Sequence, residues 1–286
     1  MRFRAFLALL VLLAALTYAP AGSATGRPGV AALQVALWNR GCYRGTIDGA
    51  TGPLTTAAVR RFQARRGLVA DGIVGPRTMR ALGRYARHRL GDRMLVAGMW
   101  GWDVASLQFR LAWHGFPSGP LDGGFGNRTG AALFRYQRWR GIGADGVAGP
   151  VTIRALFGPL PRSSLHFAWP IRSFVGSGFG PRGNRFHPGI DLPASWNTRV
   201  GAARSGWVVF AGWSPGGYGR LVILSHGRGM QSFYAHLNRV TVGPGRRVAR
   251  GTRVGLVGSS GYSTGPHLHF ELRRRDAAVS PLPALR

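Results

Sequence analysis

The fold of the C-terminal part of the chain is indicated by the stretch Gly265-Pro-His-Leu-His-Phe-Glu271. His267 and His269 are two residues apart, so on a β-strand both side chains point to the same face of the sheet. Leu268 and Phe270 then point to the opposite face, where apolar side chains pack into a core. The alternation therefore predicts a strand that is buried on one side and presents two imidazoles on the other.

A second motif upstream, His187-Pro-Gly-Ile-Asp191, supplies another imidazole and a carboxylate. A spacing of four residues would suit one face of a helix, but the proline and glycine between them disfavour a helix. We therefore expect a loop that runs into a strand, with Asp191 near the start of the strand.

The two motifs together predict a metal site with an open coordination position. Two histidines and one carboxylate can bind a divalent metal and leave room for water, as in catalytic zinc sites. Structural zinc sites usually close the shell with four protein ligands, commonly cysteines. The single cysteine of this chain excludes a closed cysteine-rich site.

The composition points to an anionic environment. The chain has 286 residues, enough for two or three domains, and 45% of them are hydrophobic, so it can form compact cores. Its 38 basic residues are all arginine and face nine carboxylates, giving a net charge of +29. Such a charge suits nucleic acid, an anionic membrane face or an anionic wall polymer.

The N-terminus selects among these partners. Two arginines precede an apolar run over residues 5–16, which is too short to span a membrane comfortably and is soon followed by Pro20. Small residues come next, with plausible cleavage after Ala21 or Ala24. We interpret residues 1–24 as a secretory signal peptide, with an uncleaved anchor as the alternative. Cleavage would leave no stable transmembrane segment, and export argues against a nucleic-acid partner.

The N-terminal half contains an internal repeat. Residues 30–83 and 104–157 align without a gap at an offset of 74 (104 minus 30). Such a regular duplication indicates two copies of one module. The pattern Asp-Gly-x-x-Gly-x-x-Thr marks a tight turn and occurs twice in each copy, because glycine accepts positive φ freely. These patterns begin at Asp48, Asp71, Asp122 and Asp145.

Apolar residues recur at helical spacing around these turns, so each copy is predicted to be a small three-helix bundle. From His166 the pattern changes to short β-branched runs separated by glycine, which predicts an antiparallel β domain. The expected fold class is thus multidomain α + β. The predicted boundaries are modules over 25–83 and 104–157, linkers over 84–103 and 158–165, and the β domain over 166–286.

Both copies resemble the peptidoglycan-binding-domain-like modules found on wall hydrolases. The resemblance is carried by the Leu-Gln and Phe-Gln pairs and by the Asp-Gly-x-x-Gly-x-x-Thr pattern. It implies wall binding through a groove beside the turns. We expect the four aspartates to cap their turns rather than to contact a ligand.

The stretch over 178–271 is similar to the lysostaphin/LytM-type zinc endopeptidases of bacterial cell walls. The matching motifs are Phe-Gly-x-Arg, His-x-Gly-Ile-Asp, Tyr-Ala-His-Leu and Ser-Thr-Gly-Pro-His-Leu-His-Phe-Glu. The resemblance implies an antiparallel β-sheet metallopeptidase domain. Arg182 and Arg185 precede the first motif histidine and could meet carboxylates of a substrate.

The same resemblance implies the members of the site. One Zn²⁺ would be bound by His187, Asp191 and His269, and zinc lowers the pKa of a bound water to about 7. His236 and His267 match the two catalytic histidines beside the metal. One can take a proton from water, and the other can orient water or donate to the oxyanion. The sequence leaves open which of them is the base.

The expected function is a secreted zinc metalloendopeptidase that hydrolyses peptide cross-links of peptidoglycan at the cell wall. Two wall-binding modules would hold it there, and the arginine excess would favour anionic wall polymers. Two alternatives remain: a non-catalytic wall-binding activator of other hydrolases, and a secreted protease that acts on glycine-rich proteins. The cleaved bond is also open between a D-alanine cross-link and a glycine bridge.

Overall fold

The computed structural model describes residues 26–286, so the predicted signal peptide lies outside the described residues. Six α-helices come first, and a largely antiparallel β domain follows. This order confirms the predicted α + β fold class. Across residues 26–286 no helix has the length and apolar character needed to cross a membrane.

The helices form two sets of three, one in each repeat. Five of the six begin directly after a glycine, and three of these five start with proline. Proline suits the first helical turn because its missing N–H has no partner there. The helices are α1 (Pro28–Asn39), α2 (Pro53–Arg65), α3 (Pro76–Leu82), α4 (Trp102–Trp113), α5 (Asn127–Arg140) and α6 (Pro150–Leu156).

A buried glutamine holds each Asp-Gly turn. Gln137 on α5 donates through Nε2 to the Asp145 carboxylate at 2.8 Å and to the Thr152 hydroxyl at 3.1 Å. Its Oε1 accepts the backbone N–H of Gly146 at 2.9 Å. The aspartate also accepts a backbone N–H two residues on, so it caps the turn as predicted. The same bonds recur at Gln34, Gln63 and Gln108.

The segment over 84–103 is more than a linker. Leu95 is fully buried in the core of the second module and forms an antiparallel β-bridge with Ala148. Helix α4 begins at Trp102, two residues before the predicted start of the module. Sequence spacing misses this contact because backbone atoms form the bridge. The second module therefore includes part of the predicted linker.

Within the described residues, the β domain contains a nine-stranded antiparallel sheet and a separate two-stranded hairpin. The sheet path is β11-β10-β7-β6-β5-β8, with β3 on β10 and with β9 joining β4 to β7. The hairpin is β1 (Gly180–Arg182) and β2 (Arg185–His187). The sheet strands are β3 (Ile190–Pro193), β4 (Arg199–Gly201), β5 (Gly206–Ser214), β6 (Gly219–Ser225), β7 (Met230–Val240), β8 (Arg247–Val248), β9 (Arg253–Val257), β10 (His267–Arg274) and β11 (Ala277–Val279).

The core of the β domain lies on the face predicted from alternation in β10. Leu268, Phe270 and Leu272 have no exposed surface and pack with side chains from β3 and β7. The opposite face of β10 carries the two histidines. Burying the apolar face therefore fixes the register of the strand and the direction of both imidazoles.

Both modules contact the tip of the β1–β2 hairpin. The N–H of Ile47 in the first module donates to the carbonyl of Gly183 at 2.8 Å. The N–H of Leu121 in the second module donates to the carbonyl of Asn184 at 2.7 Å. The hairpin ends at His187, so the modules support the strand that carries one of the predicted metal ligands.

Candidate metal centre

Strand pairing brings the two sequence motifs together. Asp191 on β3 lies directly opposite His269 on β10 in an antiparallel register. His187 ends β2, one short turn before β3. Gly189 in that turn passes so close to β10 that a Cβ there would lie 2.5 Å from the carbonyl oxygen of Phe270. Glycine is therefore required for the approach that places His187 beside the other two.

Three ligand atoms converge at this point. His187 Nε2 lies 2.9 Å from His269 Nδ1 and 3.1 Å from Asp191 Oδ1. The Nδ1 atom of His269 lies 2.8 Å from the same carboxylate oxygen. Bonds of about 2.0–2.1 Å to a tetrahedral zinc would separate its ligands by roughly 3.3 Å. The triangle is slightly smaller than that, so these three residues could hold a zinc ion after a small expansion.

Hydrogen bonds on the far side of each ring fix the tautomers. His187 Nδ1 lies 2.8 Å from the carbonyl oxygen of Gly178, which can only accept, so this nitrogen carries the proton. His269 Nε2 lies 2.9 Å from a carboxylate oxygen of Glu271 and donates in the same way. In the neutral rings the two inner nitrogens then carry lone pairs that face each other. Facing lone pairs repel, so the arrangement suits a bound cation.

Glu271 is a further candidate residue of the site, which the motif reasoning did not single out. Its fully buried carboxylate accepts from His269, from the Tyr218 hydroxyl at 2.7 Å and from Arg273 Nε at 2.8 Å. Burial alone would raise the pKa of Glu271, but Arg273 and His269 lower it to about 2. The carboxylate therefore stays charged and orients the His269 ring. The alternation of β10, extended by two residues, would have predicted its side-chain direction.

The charges around the ligands favour a cation. Although burial would raise the pKa of Asp191, the adjacent rings of His187 and His269 hold it far below its usual range. Burial would lower the pKa of His269, but its bonds to Asp191 and Glu271 raise it to about 9. Without a metal, the two carboxylates thus hold a proton on His269. A metal ion would supply that positive charge instead.

Arg182 binds the second carboxylate oxygen of Asp191. Its Nη2 donates to Asp191 Oδ2 at 2.7 Å and also contacts the hydroxyl of Ser177. Asp191 Oδ1 therefore points toward the histidines. Arg182 is half exposed, and its contact with substrate remains a prediction.

The two predicted catalytic histidines line the same site. Their ring centroids are 4.8 Å apart, and the ring of His236 lies 5.7 Å from that of His269. The Nδ1 atom of His236 faces the carbonyl oxygen of Ser260 at 2.7 Å, and that of His267 faces the carbonyl oxygen of Gly265 at 2.8 Å. Each Nδ1 is therefore a donor, and each neutral ring has its acceptor lone pair on Nε2.

A β-bulge aims His236 at the site. Arg220 on β6 pairs with Leu237, and Val222 pairs with Tyr234, so β7 carries one extra residue between these pairs. His236 lies in that segment with a φ of 59°, which is uncommon for a non-glycine residue. Bulges re-aim side chains in this way. Burial, reinforced by the neighbouring histidines, lowers the pKa of His236 to about 4, so the ring is neutral at pH 7.

Comparison with protein families defines the class of both parts of the chain. Residues 185–281 match peptidase family M23, and residues 26–82 and 101–156 match a putative peptidoglycan binding domain. The chain therefore carries an M23 peptidase domain of the LytM/lysostaphin type, preceded by two peptidoglycan-binding domains.

Curated relatives resemble parts of the chain. CwlM of Mycobacterium tuberculosis, an N-acetylmuramoyl-L-alanine amidase, is 52% identical over 35% of this chain and 25% of its own length. The DD-carboxypeptidase/endopeptidase Mpg of Neisseria meningitidis is 43% identical over 34% of this chain and 22% of its own. The murein hydrolase activator EnvC of Escherichia coli is 38% identical over 41% of this chain and 28% of its own. The chain thus spans about a quarter of the length of these relatives.

Among solved structures, the catalytic domain of lysostaphin from Staphylococcus simulans is 36% identical to this chain. The alignment covers 39% of this chain and 90% of that domain, with a TM-score of 0.37.

Proposed function

We propose that this protein is a secreted zinc metalloendopeptidase that cuts peptide cross-links of bacterial peptidoglycan. The observation that carries the proposal is the convergence of His187 Nε2, Asp191 Oδ1 and His269 Nδ1 within 2.8–3.1 Å of one another. Both histidines use their other nitrogen as a donor, so the inner nitrogens are available to a metal.

The surrounding residues prepare this site for a metal. Arg182 holds one oxygen of Asp191, which directs the other toward the two histidines. Glu271 fixes the ring of His269, and the carbonyl of Gly178 fixes that of His187. Such supporting contacts orient ligands and raise their basicity. When bound here, zinc would activate a water molecule and polarise the scissile carbonyl.

His236 and His267 would move the protons of the reaction. A neutral imidazole with its lone pair on Nε2 can accept a proton from the attacking water and then deliver it to the leaving amine. The second imidazole, in its protonated form, could donate from Nε2 to the oxygen on which negative charge develops. The Nε2 atom of His267 lies 3.6 Å from Asp191 Oδ1, so this ring is directly beside the ligand set. The assignment of the two roles to His236 and His267 stays open.

The proposed location is the cell wall outside the membrane. The N-terminal sequence has the features of a signal peptide, and the two peptidoglycan-binding domains support the wall as the target. The net charge of +29 favours anionic wall polymers as additional partners, through contacts that salt should weaken. Peptidoglycan is thus both the substrate and the anchor in this proposal, and nucleic acid is no partner.

One alternative has a specific observation in its favour. The relative EnvC is named as an activator of murein hydrolases, so a domain of this kind can serve a regulatory function. An activator has no need of an oriented ligand set, whereas here His187, Asp191 and His269 converge with their tautomers fixed. This arrangement favours catalysis.

Digestion of purified peptidoglycan tests the proposal. The purified chain should release fragments whose new amino termini are found by mass spectrometry, and these also identify the cleaved bond. A chelator should stop the release, and added zinc should restore it. Release only in the presence of a second hydrolase would establish the activator function. Cleavage of an elastin-like protein without any release from peptidoglycan would establish a general protease.

A further inference from the structure

The two modules differ on one face, although their sequences align. In the first module a groove of about 800 Å³ lies beside both Asp-Gly turns, between α1, α2 and the start of α4. Its floor is apolar, and four of its residues lie at positions that have exact counterparts in the second module at the offset of 74. These residues are Val30, Leu33, Val59 and Val74.

In the second module the chain itself fills the equivalent place. The counterpart residues have no exposed surface and pack in one cluster with Leu95. Leu95 also pairs with Ala148, whose N–H donates to the carbonyl of Leu95 at 2.9 Å, while the N–H of Leu95 donates back at 3.3 Å. The counterparts are Val104, Leu107, Leu133 and Ala148.

This internal occupant indicates what the groove is shaped to accept. At Leu95 the chain forms one isolated β-bridge with the backbone of the second turn and buries an apolar side chain. Backbone pairing combined with burial of a side chain is also how peptides are bound by β-augmentation. In the first module, Val74 occupies the place of Ala148, and within residues 26–286 its N–H has no backbone or side-chain acceptor. As far as residues 26–286 are concerned, this backbone group is available to another peptide.

The lining of the first groove suits a peptide with a carboxylate. Arg27, His88 and Arg89 contribute basic side chains, and three threonines contribute hydroxyl groups. The described residues of its lining include no acidic side chain. An extended, anionic peptide with small apolar side chains matches this surface in shape and charge. The stem peptide of peptidoglycan, which contains alanine and ends in a carboxylate, has that chemistry.

We propose that the first module alone binds the wall, by pairing a stem peptide with the backbone at Val74. The second module has a structural role. Leu95 fills its groove, and its helices hold the first module against the β domain. The choice of ligand rests on the proposed function at the wall. The difference between the modules rests on the structure alone.

Binding of a soluble, glycan-free stem peptide to the purified chain tests this inference. Calorimetry in the presence of a chelator measures binding without cleavage, so a failed catalytic proposal would leave the result interpretable. One peptide should bind per chain. A peptide bound to the second module would overturn the division between the modules, and binding of peptide-free glycan strands in place of the peptide would overturn the ligand.

Matched substitutions locate the site. Thr56→Trp, on α2 at the wall of the groove, should weaken peptide binding at least about tenfold. Gly130→Trp places the same side chain at the counterpart position and should leave binding unchanged. Equal losses in both variants, or a loss only in Gly130→Trp, would overturn the proposal. Thermal unfolding of each variant verifies that it is folded.

A second pair of substitutions tests the positive charge of the groove. Arg89→Gln should weaken binding of the peptide carboxylate, because Arg89 lines the groove. Arg87→Gln is the control, since Arg87 is an exposed arginine two residues away that is not part of the lining. An equal effect of the two substitutions would show that only the overall positive charge matters, and the proposed carboxylate contact would be wrong.

Discussion

The Nε2 atom of His187 and the Nδ1 atom of His269 lie 2.9 Å apart, and each ring uses its other nitrogen as a hydrogen-bond donor. Two neutral imidazoles in this arrangement would point lone pairs at each other. A cation between them would remove the repulsion, and Asp191 would complete the proposed ligand set on the third side. The electrostatics of the site thus depend on the residues that fix the two rings.

Glu271→Gln tests the contribution of the buried carboxylate. The amide removes the negative charge that Arg273 and His269 face, so it should lower zinc affinity by about 10- to 100-fold. Competition with a chromophoric chelator measures the affinity. Asp276→Asn is the control, because it removes one charge from the exposed turn after β10. Unchanged affinity in Glu271→Gln would mean that the ring of His269 is oriented by packing alone.

His114 predicts a pH dependence of stability that arises outside the candidate metal centre. This ring is fully buried in the second module and donates to the carbonyl of Leu156, and burial lowers its pKa from 6.5 to about 4. As the pH falls below 6.5, the unfolded chain binds a proton that the folded chain does not. The free energy of unfolding should then decrease by up to about 1.4 kcal/mol per pH unit until about pH 4.

His114→Gln keeps a donor for Leu156 and removes the titrating group. Urea unfolding between pH 7 and pH 5 should therefore show a weaker loss of stability in this variant than in the parent chain. His166→Gln, at an exposed position, serves as the control. An unchanged pH slope in His114→Gln would contradict the account of its burial.

The glutamine network predicts a large cost for losing one side chain. Gln137→Leu leaves the N–H of Gly146 and the hydroxyl of Thr152 without their partner, and the free energy of unfolding should fall by about 3 kcal/mol. Gln231→Leu is the matched control, since Gln231 makes no side-chain hydrogen bond within residues 26–286 and should change stability little. If the two substitutions lower the free energy of unfolding equally in chemical denaturation, the glutamine hydrogen bonds do not stabilise the turns as described.

The hairpin contacts predict that the modules stabilise the metal site. Trp113 on α4 packs edge-on against Phe186 and Phe179, with ring centroids 5.3 Å and 6.4 Å apart. Trp113→Ala should speed amide exchange in the hairpin and weaken zinc binding, because the hairpin carries His187. Trp139→Ala is the control: its indole donates to the carbonyl of Arg274 at 3.1 Å, away from the hairpin. Equal amide exchange of the hairpin in the two variants would mean that the modules do not stabilise the candidate metal site.

Local periodicity was sufficient to predict much of this protein. Alternation in β10 placed His267 and His269 on one face, and the repeated Asp-Gly pattern located the turns and the six helices. Both patterns state which residues are buried, and burial determines the register. Extending the same alternation to Glu271 would have placed on this face the carboxylate that orients His269.

Other features depend on contacts that sequence patterns do not encode. The bulge that turns His236 inward is a change of backbone register, and no residue type marks it. The bridge between Leu95 and Ala148 is formed by backbone atoms of segments far apart in the chain. The contact of Ile47 with Gly183 likewise joins two domains through main-chain groups. These features required the structure.

Zinc titration of the parent chain and of His269→Ala tests the central claim most directly. The parent chain should bind one zinc ion and release peptide fragments from peptidoglycan, and His269→Ala should lose both. His166→Ala, at an exposed histidine outside the site, should retain both. The account is contradicted if His269→Ala binds zinc and digests peptidoglycan as the parent chain does.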